Sequence, residues 1–260
     1  MTDYYNQVLN SGRDFYIRGR ELDDEGATQI AKALMDPTSK VENLLLLENN
    51  IGCEGATAIA KAVAMNSKLR CVALVDNKIG KDGAMAIVNA LKLNSTLQTL
   101  DLACNRIGDE GAAAIAKAMV EINTRYNATL QALWNLLSHQ TTGVYTAKVM
   151  AQAWKESLKH SSALEILNIR NNQIGNAGAT AFAEVLKINS TLQQLILAQN
   201  SDIGDETASA IAQALKTNST LEAIWLPRNT ISQALHDRIG GLLTRESRKK
   251  RQLELEKGIL

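Results

Sequence analysis

Residues 97–119 read LQTLDLACNRIGDEGAAAIAKAM. Leu100 and Leu102 stand two apart, the spacing of residues on one face of a short strand. Asn105 follows, and then a turn containing Gly108. From Gly111 onward the small and aliphatic residues recur at three- and four-residue intervals, which predicts a helix with a single buried stripe. A lone strand and a lone helix cannot bury their apolar faces. A unit of this kind needs copies of itself stacked on either side.

The copies are present. VENLLLLENNIG from Val41, LRCVALVDNKIG from Leu69, LQALWNLLSHQ from Leu130, LEILNIRNNQIG from Leu164, LQQLILAQNSDIG from Leu192 and LEAIWLPRNTIS from Leu221 all align with it. With Leu97 included, their starts lie 28, 28, 33, 34, 28 and 29 residues apart. Helix halves such as GATAIAKAVAMNS and GATAFAEVLKINS follow the strands. Their alanines are a physical requirement, because each helix must approach its own strand and the next helix closely. Asn49, Asn77, Asn105, Asn172, Asn200 and Asn229 close the strands. A buried amide at that place can satisfy backbone groups of neighbouring turns, giving a ladder of hydrogen bonds. Pairs such as Asn94-Ser95 end the helices. The glycines of the IGxxGA motif read as turn residues. The expected fold is α/β: a right-handed horseshoe with a parallel concave sheet in sequence order and helices on the convex side.

The ends and the middle depart from the pattern. A single domain is expected, with 12–40 a degenerate N-terminal capping repeat that has Phe15 and Ile17 at strand positions. Repeats occupy 41–231, irregular at 119–163, and 232–260 form a C-terminal cap and basic helical tail. The run Arg245, Arg248, Lys249, Lys250, Arg251 is interrupted by Glu246 and followed by Glu254 and Glu256, which reads as a solvated helix face. In the irregular stretch, MVEINTRYNATL inserts five residues before the Leu130 segment. Asn135 then replaces an inward leucine and Ser138 the ladder asparagine. Trp154 falls in register with Ile59 and Phe182, which predicts a core position. The stretch reads either as tolerated drift or as a bulge that alters curvature and places Tyr126 and Tyr145 beside a binding surface.

Composition narrows the function. A chain 45% hydrophobic and 21% charged is that of a soluble folded protein. Twenty-eight basic and 27 acidic side chains leave a formal charge of +1, so no global field draws in nucleic acid. No run approaches the length of a membrane span, and MTDYYNQVLNSGRDFY lacks the apolar core of a secretory signal. Neither a nucleic-acid nor a membrane partner is expected. Cys53, Cys71 and Cys104 read as free thiols in a reducing compartment, hence a cytoplasmic protein. His139, His160 and His236 fall in different repeats without other ligands at metal spacing. No phosphate-binding glycine loop appears, and no base is placed beside Cys71 or Cys104. The expectation is a non-enzymatic chain with no cofactor and no metal, monomeric on its own.

The concave strands supply the surface that could bind. Between the inward leucines stand Leu45, Ala73, Asp101, Trp134, Asn168, Ile196 and Trp225. Two places further on stand Leu47, Val75, Ala103, Leu136, Arg170, Ala198 and Pro227, followed by Glu48, Asp76, Cys104, Leu137, Asn171, Gln199 and Arg228. Large apolar side chains on an uncovered sheet mark a protein contact, and Trp and Arg dominate such contacts. Charge is segregated along the curve: Glu48, Asp76 and Asp101 toward the N-terminal end, Arg170 and Arg228 toward the other. The expected anchors are Trp134 and Trp225, helped by Leu45, Leu47, Leu136 and Ile196 and oriented by Asp101, Arg170 and Arg228, with Asn168 on the same binding surface.

The pattern LxxLxLxxNxIGxxGAxAIAxAL, almost complete in residues 97–119, resembles the ribonuclease-inhibitor-like subfamily of leucine-rich repeats. That subfamily includes ribonuclease inhibitor, the repeat domains of nucleotide-binding innate receptors and the Ran GTPase-activating protein. The resemblance implies another protein bound by the concave face, with a stoichiometric inhibitor or regulator of an enzyme as the leading role. Its alternative is GTPase activation, although no residue here matches the functional arginine of that activator. The chain also lacks the many cysteines of ribonuclease inhibitor and the acidic tail of the activator. A short stand-alone stack is similar to the leucine-rich effectors that bacteria such as Legionella inject into host cytoplasm, some of which block another effector enzyme.

Overall fold

A computed structural model describes residues 3–121, 164–200, 202–244 and 246–249. Among the described residues seven short strands form one parallel sheet in strict sequence order. They are β1 (Asp14–Arg18), β2 (Asn43–Leu47), β3 (Cys71–Ala73), β4 (Thr99–Asp101), β5 (Ile166–Asn168), β6 (Gln194–Ile196) and β7 (Ala223–Trp225). Helix α1 (Tyr4–Asn10) precedes β1, and α2 (Asp24–Leu34), α3 (Cys53–Met65), α4 (Gly80–Leu91) and a helix α5 from 108 to 121 follow the first four strands. After β5 come α6 (Asn176–Ile188), α7 (Asp205–Ala214) and α8 (Gln233–Leu242). This is the strand–helix solenoid expected from the period, and its parallel sheet follows chain order.

The core lies between sheet and helices. Leu44, Leu46, Leu100, Leu102, Leu195 and Leu197 are fully buried, as are Ala56, Ala84, Ala112, Ala179 and Ala208 from the helix stripes. The second glycine of each motif is a packing residue rather than a turn residue. A Cβ on Gly178 would lie 2.8 Å from the backbone Cα of Asp109 and 2.9 Å from the Ala112 Cβ. Where that glycine is replaced, by Thr207, the hydroxyl donates to Asn176 Oδ1 at 2.8 Å instead.

The asparagine ladder is continuous. Asn172 is fully buried; its Oδ1 accepts from the Asn105 and Ile107 amides at 2.8 and 3.3 Å, and its Nδ2 donates to the Leu102 and Arg170 carbonyls at 3.0 Å each. Asn200 does the same for the Asn172 and Ile174 amides, at 2.8 and 3.2 Å. A second ladder runs along the opposite rim. Asn94 donates to the Val63 and Asn66 carbonyls and accepts from Thr96 and Leu97, and Asn218 repeats the arrangement against Leu186 and Asn189. The Asn-Ser/Thr pairs therefore join neighbouring repeats as well as ending helices. The turn before each ladder asparagine also holds a residue at positive φ: Gly19 in the first turn, then Glu48, Asp76, Cys104, Asn171, Gln199 and Arg228 at φ between 52 and 60°.

Helix starts are capped from the neighbouring repeat. Asp24 at the head of α2 accepts from Gly52 and Gly55 at the head of α3, at 2.6 and 3.0 Å; Asp109 does so for Gly175 and Gly178, at 2.6 and 2.9 Å. Gly52 and Gly175 then hold extended backbone with φ of −98°. Where the preceding repeat offers Cys53 or Lys81 instead of a carboxylate, Gly80 and Gly108 turn over to φ of 63 and 67°. Their amides then donate to the Asn105 and Asn172 carbonyls at 3.0 and 2.8 Å. An acceptor one repeat earlier thus sets the turn conformation.

The middle of the stack corrects the sequence reading. β4 pairs directly with β5, Asp101 opposite Asn168, and β3 occupies its other edge. Helix cap, ladder and strand pairing all step straight from the 97–121 repeat to the 164–188 repeat. β4 and β5 leave no place between them for the strand expected at Leu130, a segment outside the described residues, and β1 stands where Phe15 and Ile17 were expected at strand positions. The leucine spacing around Leu130 therefore does not insert a strand between these two repeats, and Asn135 and Ser138 already broke the sequence pattern there. Trp134, Leu136, Trp154, Tyr126 and Tyr145 lie outside the described residues. At the N-terminus, α1 is an addition to the reading: Asp3 caps it through the Asn6 amide, and Val8 is fully buried against the first repeat.

Two measurements check this account. Replacing 122–163 by Asn-Ser-Thr restores the 28-residue step from Leu97 to Leu164 and leaves a folded protein, seen as an unchanged far-ultraviolet dichroism spectrum and a single cooperative melt. Asn172→Ala strands the buried Asn105 and Ile107 amides, so urea denaturation should show a loss of about 3 kcal/mol. The partly exposed Asn229→Ala should cost about 1 kcal/mol.

Candidate functional site

Alternation along each strand decides what faces the concave side. With Phe15, Leu44, Val72, Leu100, Leu167 and Leu195 turned inward, the cross-strand row of their neighbours is Tyr16, Leu45, Ala73, Asp101, Asn168, Ile196 and Trp225. The row passes directly from Asp101 to Asn168, so the place expected between them for Trp134 does not exist. Tyr16 was missed. It stands between Phe15 and Ile17 as Trp225 stands between Ile224 and Leu226, and the irregularity of the first repeat hid the equivalence. The two aromatics close the row at its two ends, 55% and 41% exposed.

Four of the expected residues converge. Arg170, Ile196, Trp225 and Arg228 line one cleft of about 400 Å³ with Ala198, Gln199 and Pro227. Its base is apolar: Ile196 on β6 is the register partner of Trp225 on β7, and Ala198 and Pro227 extend the same surface toward the turns. Arg170 Nε donates to Gln199 Oε1 at 2.5 Å, which fixes the guanidinium on the rim. Arg228 is exposed and is itself the left-handed residue of its turn, at φ of 60°. Leu45 and Leu47 are half-buried on β2, four strand steps from β6, or roughly 19 Å at ordinary strand spacing. They belong to the same face and not to the cleft.

Asp101 and Asn168 form a polar bridge in mid-sheet. Asn168 Nδ2 donates to Asp101 Oδ2 at 3.0 Å, and the Ala103 amide donates to Asp101 Oδ1 at 3.0 Å. Burial raises the Asp101 carboxyl above its ordinary value, against the opposing pull of these two hydrogen bonds and of Arg170. Burial, aided by the Asp101 charge, also pushes the Cys71 thiol up, the opposite of a reactive thiolate. Nearer the N-terminal end, Arg18 lies 2.5 Å from Glu48, and that hydrogen bond holds the Glu48 carboxyl below its ordinary range. Of the acids expected to orient a partner, Glu48 is therefore paired within the chain and Asp101 is tied to its neighbouring strand. The three cysteines are free thiols.

Among the described residues no group of three or more His, Cys, Asp or Glu could hold a metal ion, and no helix is long and apolar enough to cross a membrane. His139 and His160 lie outside them.

A family model described as leucine-rich repeat matches residues 66–88, 93–116, 160–183 and 189–212. Four stretches of this chain are leucine-rich repeats. The matches pass over the segment at Leu130, in agreement with the pairing of β4 with β5, and the fold is a leucine-rich-repeat solenoid with an open parallel sheet. No curated protein matches the chain. The solved structure titled leiomodin-1 actin-binding site 2 (ABS2) is similar over 98% of this chain and 94% of its own, at 16% identity and a TM-score of 0.36.

The Asp101 environment makes a pH prediction. A carboxyl whose folded value is raised supports the fold while protonated, and that support is lost as pH rises through the raised value. Asp101→Asn should therefore gain stability relative to the parent between pH 3.5 and pH 7, read from urea midpoints. An equal difference at both pH values would contradict the assigned effect of burial.

Proposed function

We propose that this chain is a stoichiometric protein-binding module whose partner docks on the C-terminal half of the concave sheet. The observation that carries the reading is the exposed Trp225 over an apolar floor of Ile196, Ala198 and Pro227, flanked by Arg170 and Arg228. Leucine-rich-repeat folds generally serve as protein-binding scaffolds. Trp225 is 41% exposed and adds little to the core, whereas desolvating it in an interface is worth about 2 kcal/mol or more. A partner long enough to span the sheet also meets Asn168, Asp101, Leu47 and Leu45, and at the far end Tyr16. A partner confined to the cleft meets none of these last three. Binding without chemistry makes the module a regulator of whatever enzyme or assembly it occupies.

The test is affinity capture followed by a measured Kd for the purified pair. Trp225→Ala should weaken that Kd roughly thirtyfold, about 2 kcal/mol, while the dichroism spectrum stays unchanged. Leu45→Ala distinguishes the two footprints, weakening only a sheet-spanning partner. An unchanged Kd in the folded Trp225→Ala protein removes the concave-face assignment and moves attention to the helical side.

A further inference from the structure

The charges on the concave face are unevenly distributed, and the described strands show how. At the concave strand positions of β1 to β4 and the left-handed residue after each, the charged residues are Asp14, Arg18, Glu48, Asp76 and Asp101, with Arg18 bound to Glu48. On β5 to β7 the concave positions are Ile166, Asn168, Arg170, Asn171, then Gln194, Ile196, Ala198, Gln199, then Ala223, Trp225, Pro227, Arg228. No carboxylate stands among them. Arg170 is bonded to a neutral amide and keeps most of its donors. Arg228 has no hydrogen-bond or ion-pair partner among the described residues. Both guanidiniums line the same cleft as Trp225.

We infer that the cleft takes an acidic segment of a partner protein, one large apolar side chain seated on Ile196, Trp225 and Pro227 with carboxylates on either side meeting Arg170 and Arg228. This rests on the concave-face reading above and adds the chemistry of the occupant. Three features select it. The floor is apolar, so it seats a hydrocarbon side chain. The cleft has the volume of a pocket for one or two side chains rather than for a folded domain. The paired donors of arginine match carboxylates bidentately, and neither arginine is ion-paired to a carboxylate among the described residues. A nucleic-acid strand would also find an aromatic between two arginines, but its phosphates would then run along the sheet into Asp101, Asp76 and Glu48. The same acidic half of the sheet directs a negatively charged peptide to the C-terminal end and fixes its register there.

The experiment uses the full chain and three fluorescein-labelled peptides: Gly-Ser-Glu-Glu-Leu-Phe-Glu-Glu-Ser-Gly, its analogue with every Glu as Gln, and its analogue with every Glu as Lys. Anisotropy should give saturable binding of the acidic peptide, weakened at least about tenfold in the Gln analogue and in Arg228→Glu, and by rising salt. The double variant Arg170→Glu, Arg228→Glu should lose the acidic peptide and gain the Lys analogue, a reversal that an unfolded protein cannot produce. The inference is overturned by any of four results: no binding of the acidic peptide at millimolar concentration, equal binding of the Gln analogue, indifference to Arg228→Glu, or stronger binding of a fluorescein-labelled oligothymidylate. Competition by free glutamate at the peptide's own affinity would also overturn it, by making the cleft a small-molecule site. The two readings fail separately. A captured partner sensitive to Trp225→Ala but not to the arginine reversals keeps the concave site and removes the acidic occupant.

Discussion

A buried amide makes the stack possible. A turn carried into the interior of a solenoid has peptide groups that water cannot reach, and each unpaired group would cost on the order of 1–3 kcal/mol. One asparagine per repeat resolves this, because its carbonyl accepts from the turn before it and its amine donates to strand carbonyls of two repeats. Asn172 bonds four backbone groups, among them the buried Asn105 and Ile107 amides. Since the bonds run from one repeat to the next, the residue fixes the spacing of neighbours as well as the shape of its own turn. Asn94 and Asn218 impose the same condition on the opposite rim. Strand register, helix capping by Asp24 and Asp109, and the direct step from Asp101 to Asn168 all operate inside the frame these amides set.

That frame explains which features were legible in the sequence. Inward leucines, stripe alanines and ladder asparagines are periodic because their surroundings are, so the solenoid and its parallel sheet could be read from spacing. Pairing is a relation between distant segments, and here local spacing misled. The Leu130 segment has the leucines of a strand but Ser138 in place of the amide, and a repeat without that amide leaves backbone groups of its neighbours unserved. Helix α1 and Tyr16 were missed for the reverse reason: an end repeat is paired on one side only, so its pattern is weak even where its geometry is regular.

The binding surface was half legible. Strand alternation placed Ile196, Trp225, Arg170 and Arg228 on the concave side by counting. That they form a single cleft depends on the short side chain of Ala198 and on the turn through Pro227, neither of which carries a signal of its own. Counting also suggested that Glu48 and Asp101 were available to a partner. Their pairing with Arg18 and with Asn168 is a matter of reach between strands, which no one-dimensional pattern records.

The left-handed turns carry a further implication. Six of these positions are occupied by residues with a side chain, where glycine would sit without steric conflict, and all but Asn171 cost roughly 1 kcal/mol each in backbone strain. Their sum approaches the whole net stability of an ordinary domain. Glycine or asparagine along that rim would give a more robust molecule with a featureless edge. Because the side chains at these places, from Glu48 to Arg228, all stand on the rim of the concave face, robustness and recognition draw on the same few backbone angles, and engineering one of them alters the other.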